Sequence, residues 1–81
     1  MGAVAADLRE LEEMIRAALP GAEVEIRDEG GGDHLRAVVS SAEFEGVSRI
    51  DQHRMVRSAV RARFEDGSIH ALSIETSTPS G

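Results

Sequence analysis

The sequence predicts an α/β (α+β) fold, a three-stranded mixed sheet covered by helices in the order helix, strand, strand, helix, strand. Two stretches repeat apolar residues at three- and four-residue intervals, and three others alternate apolar with polar residues. A glycine-rich run between the first two alternating stretches supplies a hairpin. The first two strands are then antiparallel, whereas the second and third, joined through a helix, are parallel with a right-handed crossover.

Residues 7–19 carry Leu8, Leu11, Ile15, Ala18 and Leu19 on one helical stripe, with Arg9, Glu10, Glu12, Glu13 and Arg16 mostly off it. Pro20 and Gly21 end that helix, the first by disfavouring a helical residue before it and the second by allowing a left-handed exit. Residues 22–28 alternate, with Ala22, Val24 and Ile26 on one face, and residues 34–41 do so with Leu35, Ala37 and Val39. The run at 28–33, Asp-Glu-Gly-Gly-Gly-Asp, joins two strands and carries three acids. Phosphate binding is a poor reading of it, because a phosphate cradle needs backbone N–H groups unopposed by negative charge.

Residues 40–46 form a turn-rich connection in which Phe44 is the expected anchor, its ring over the following helix. Ser48 stands three residues before Asp51, a variant of the capping box, and starts one long helix that stops at Glu65, Asp66 and Gly67. Ile50, His53, Val56, Val60 and Phe64 are read as one buried stripe, so His53 is expected to be an internal imidazole bonded to backbone. Residues 68–76 form the third strand. Their parity groups His70 with Leu72 and Ile74 at the end of the core face, where packing and functional roles both stay open. The tail, residues 77–81, is expected to fray.

Composition narrows the function. At 81 residues the chain reads as one domain, burying only about 60% of its unfolded surface. It has no Cys, which excludes disulfides, thiolate nucleophiles and all-Cys metal sites. Its formal charge of -6, with nine Arg and no Lys, opposes free-standing nucleic-acid binding unless a local basic stripe overrides it. Arg49, Arg54, Arg57, Arg61 and Arg63 flank the second helix as such a stripe, although a solvated face paired with Glu43, Glu45, Asp51 and Glu65 explains them equally simply. No apolar run approaches the roughly 20 residues of a membrane helix, and a cytoplasmic protein is expected. No serine sits on a G-x-S-x-G turn and no H-E-x-x-H pair occurs, so an enzyme is the less favoured class.

Three phrases carry a resemblance: GDHLRAVVSSAEFEG at 32–46, SRIDQHRMV at 48–56 and SIHALSIETSTP at 68–79. In order and spacing they resemble the BolA family, with its glycine loop, F-x-G connection, helix histidine and I/V-H-A-L strand. The resemblance implies a BolA-like fold related in shape to type II KH domains. It also implies a non-enzymatic role as partner of CGFS monothiol glutaredoxins. In such pairs a [2Fe–2S] cluster is shared with glutaredoxin and glutathione, for cluster trafficking or iron sensing, and the BolA-like protein binds none alone. His70 matches the strand histidine that ligates in that family.

A second ligand comes from the hairpin in family members. Here the loop holds only acids and glycines, which leaves His34, with the Asp33 carboxylate as a substitute. Leu35 stands where an aromatic residue is common. The resemblance also admits a DNA-binding transcriptional regulator, using the KH-like shape and the arginine flank. Against that, F-E-G-V lacks the G-x-x-G clamp and no aromatic platform exists. Charge complementarity favours the same arginines docking a glutaredoxin, with the free protein a monomer or weak homodimer.

Overall fold

The computed structural model describes residues 7–31 and 34–79. The chain forms α1 (Leu8–Ala18), β1 (Glu23–Gly30), β2 (His34–Ser40), a 3-10 turn at Ala42–Phe44, α2 (Arg49–Ala59), α3 (Arg61–Glu65) and β3 (Ala71–Ser77). The sheet order is β1-β2-β3, antiparallel between β1 and β2 and parallel between β2 and β3. Element order and strand directions are those expected from the pattern.

Local chemistry sets the boundaries. The Asp7 carboxylate caps α1 by accepting from the backbone N–H of Arg9 at 3.0 Å, satisfying a donor the helix leaves unpaired. Ser41 and Ser48 do the same for the 3-10 turn and α2, accepting from Glu43 and Asp51 backbone N–H at 3.1 and 3.2 Å. In the hairpin the register shifts between Asp28 and Gly30, and Gly30 and Gly31 take φ of 149° and 73°. Residues with a Cβ rarely adopt those values, so the glycines are what lets the chain reverse here.

The core lies between one sheet face and the helices. Leu11 and Ile15 of α1 and Leu19 just after it meet Ile26, Leu35, Ala37 and Val39 of the sheet, with Val56 and Val60 closing the other side. Phe44 is 1% exposed and plugs the end of this layer, as expected of the connection's anchor.

Four expectations are corrected. The second helix is two helices, broken at Val60, whose φ and ψ of -113° and 20° leave helical space while its side chain stays buried. Its buried stripe is also rotated. At about 100° per residue Ile50 lies about 120° round the axis from Val56. The inward face is therefore Gln52, Val56, Ala59 and Val60, while Ile50 is 66% exposed and His53 only half-buried. The third strand starts later than expected, at Ala71. Ile69 is buried and donates its N–H to the Arg63 carbonyl at 3.0 Å, and the chain bends at His70, so strand parity does not reach back that far. Ser77, expected to fray with the tail, pairs with Ser40, and its carbonyl accepts the Ser41 N–H at 3.0 Å. The remaining tail residues 80 and 81 lie outside the described residues.

Candidate functional site: the histidine end of the sheet

His34 begins β2, and parallel register sets it opposite Ala71, the residue that follows His70. Adjacent strands run about 4.8 Å apart, so the two histidines leave the sheet at the same corner. Both are exposed, His34 on the face away from the helices and His70 on the bend before β3. His70 is therefore not at the end of the core face as parity suggests; it is exposed at the bend. Asp33, the substitute ligand, lies outside the described residues. In the adjoining hairpin the Asp28 carboxylate accepts the Gly30 N–H at 2.8 Å, which ties one of the nearby acids to the turn.

No group of three His, Asp or Glu side chains among the described residues is placed to hold a metal ion. His53 has a different setting. It lines an open groove between α2 and β3 with Ile50, Arg54, Arg57, Leu72 and Ile74, rather than sitting inside the core.

The arginine flank resolves residue by residue. Arg54 lies 3.4 Å from the Asp51 carboxylate and Arg61 2.9 Å from that of Glu65, as in the solvated-face account. Glu43 and Glu45 take no part in the ion pairs formed by these arginines. Arg63 turns the other way, reaching Glu10 on α1 at 3.0 Å and Asp66 at 2.6 Å, so it is a structural tie and not part of a docking surface. Arg57 has no carboxylate partner among the described residues; its guanidinium lies 4.1 Å from the Phe64 ring centroid. Arg49 is exposed at the first turn of α2.

Asp66 is the most perturbed carboxyl group among the described residues, held down to about 2. Hydrogen bonds from the Ser68 hydroxyl at 2.6 Å and the Ser68 N–H at 2.8 Å stabilise its charged form, and Arg63 adds to them. This cluster fixes the turn from α3 toward His70.

Sequence reasoning missed Gln52. Its amide nitrogen donates to the Val47 and Phe44 carbonyls at 2.8 and 3.2 Å, and its oxygen accepts from the Thr76 hydroxyl at 2.5 Å. A polar residue four before Val56 and seven before Ala59 is the available signal, since it marks an inward helical position.

The comparisons with known proteins follow this architecture. Residues 14–81 match the family model described as BolA-like protein. The chain belongs to the BolA-like family. It is 38% identical over 88 residues to human BolA-like protein 1, covering 98% of this chain and 61% of that protein. It thus spans less than two thirds of the human relative's length. An uncharacterized protein of Rickettsia prowazekii is 32% identical over 74 residues, covering 90% of this chain and 95% of the relative. Among solved structures, a Bol-like protein of Babesia bovis superposes with a TM-score of 0.81 at 29% identity, covering 96% of this chain and 91% of that one. No described helix is long and apolar enough to cross a membrane.

Proposed function

We propose that this BolA-like chain is a non-enzymatic partner of a CGFS monothiol glutaredoxin, and that the pair shares a [2Fe–2S] cluster in cluster trafficking or iron sensing. The supporting observation is the register of β2 with β3, which sets His34 beside the residue following His70 at one exposed corner. His70 is the principal ligand and His34 the second, with glutaredoxin cysteine and glutathione supplying thiolates. Neutral imidazoles in place of thiolates raise a cluster's potential and make ligation sensitive to protons. The chain's own contribution is positional: the Asp66–Ser68–Arg63 cluster holds the approach to His70, and the hairpin glycines hold the approach to His34.

The arginine pairing weakens the rival DNA reading. Three of the five flank arginines already hold carboxylates, which leaves few cations to displace phosphate counterions.

The test mixes the protein with a CGFS glutaredoxin carrying a reconstituted cluster and records visible circular dichroism. The wild-type chain should change the spectrum, and no change overturns the proposal. His70→Ala should abolish that change while far-ultraviolet dichroism stays native. His34→Ala should reduce it, and an unaltered response would remove His34 from the ligand set.

A further inference from the structure

The groove between α2 and β3 adjoins the histidine corner, its lining residue Leu72 following His70 by two, but neither His34 nor His70 lines it. Ile50, Leu72 and Ile74 form its apolar lining, Arg54 and Arg57 its rim, and its volume is about 330 Å³. Ile50, 66% exposed, is the sole exposed large hydrophobic residue among the described residues. Beside it runs β3, which among the described residues pairs with β2 alone and so turns a row of backbone N–H and C=O groups outward. Both Leu72 and Ile74 are half-buried on the helix-facing side of that strand.

The geometry points to a peptide-docking groove here: an extended, acidic segment of another protein pairs with the edge of β3, seating an aliphatic side chain against Ile50, Leu72 and Ile74 and a carboxylate on Arg57. A strand added to an edge places alternate side chains on one face. Those on the helix-facing side enter the groove beneath α2. The carboxylate belongs on that same side, two residues from the aliphatic anchor, because the opposite face of β3 presents Glu75, already joined to Arg36 at 2.6 Å. Arg57 lines the groove with no carboxylate of its own among the described residues, and its guanidinium lies over the Phe64 ring. A local cationic rim in a chain of net charge -6 selects an acidic partner by complementarity. A second copy of this chain fits less well, since a two-fold contact through this patch would bring Arg54 and Arg57 toward their own counterparts. Nucleic acid fits less well too, because the lining is aliphatic and offers no ring for base stacking.

This inference stands apart from cluster ligation, and its test uses neither glutaredoxin nor iron. The isotope-labelled full chain is titrated by NMR with the capped peptide Ile-Thr-Val-Thr-Glu-Thr, which sets Ile, Val and Glu on one face, and with its Glu→Lys counterpart. Shifts confined to Ile50, His53 and residues 72–74, with slowed amide exchange in β3, are expected for the acidic peptide only. Arg57→Glu and Ile50→Ser should each weaken binding by at least about fivefold, Arg57→Lys by less, all with native spectra because both side chains are exposed. His70→Ala should bind the peptide as wild type does, which separates this groove from the histidine corner. Equal response to the Lys peptide, or shifts elsewhere, overturns the inference. So does concentration-dependent broadening of β3 without peptide, which assigns the groove to a second copy, and so does a stronger response to oligothymidylate.

Discussion

Gln52 joins three parts of the chain through one amide, and its value lies in what its loss would leave behind. Replacement by Leu keeps the volume but strips partners from the Val47 carbonyl and the Thr76 hydroxyl, the latter on a residue 8% exposed. A buried polar group left unpaired costs about 1–3 kcal/mol, against a total stability of about 4–12 kcal/mol expected for a chain of 81 residues. Gln52→Leu should therefore lower the urea midpoint substantially, and adding Thr76→Val should recover part of the loss by removing the orphaned hydroxyl. Strict additivity in that double-mutant cycle would refute the coupling. His53 shows the opposite case at this scale. A polar ring on a mixed helical face reads as internal, yet it borders the groove, because one helical step of rotation separates core from rim.

At the scale of elements, capping and periodicity act through short-range geometry and are legible in the spacing of residues alone. The Ser48 hydroxyl meets the Asp51 N–H as that spacing implies. Ser48→Ala should cost about 1 kcal/mol in chemical denaturation, with little change in the denaturant slope. A loss near zero would mean that water or backbone serves the first turn of α2 equally well. What spacing does not disclose is the break at Val60. Val60 is buried there among core residues distant in sequence, and the Ile69-to-Arg63 backbone bond then turns the chain at the far end of α3. The same break lets Arg63 reach Glu10 on α1 while Arg57 covers Phe64, so one apparent basic flank splits into a structural arm and an interactive one.

For the whole molecule, the clearest electrostatic prediction concerns acid. Asp66 titrates at about 2 in the folded chain against an ordinary 3.8, so its charged form is favoured by folding. That contribution is complete above pH 3.8 and is lost as pH falls toward 2. Thermal denaturation of Asp66→Asn should show a shallower decline over this window than wild type, with the two curves converging at its acidic end. Parallel curves would assign the acid sensitivity to other carboxylates. Because Asp66 also holds the turn leading to His70, the same substitution tests whether that turn positions the histidine, through a weakened cluster spectrum with glutaredoxin at neutral pH.

The order of elements, the hairpin, the Ser48 cap, the strand directions and the resemblance to BolA-like proteins were all determined by the sequence, because each depends on neighbours within a few residues or on motif spacing. His34 and His70 were recognisable as candidates on the same grounds. Tertiary structure decided which side of α2 is buried, where β3 begins, that Arg63 belongs to the scaffold and that Ile50 faces solvent. These outcomes rest on rotations of roughly a third of a turn and on contacts between segments distant in sequence, which no local pattern encodes.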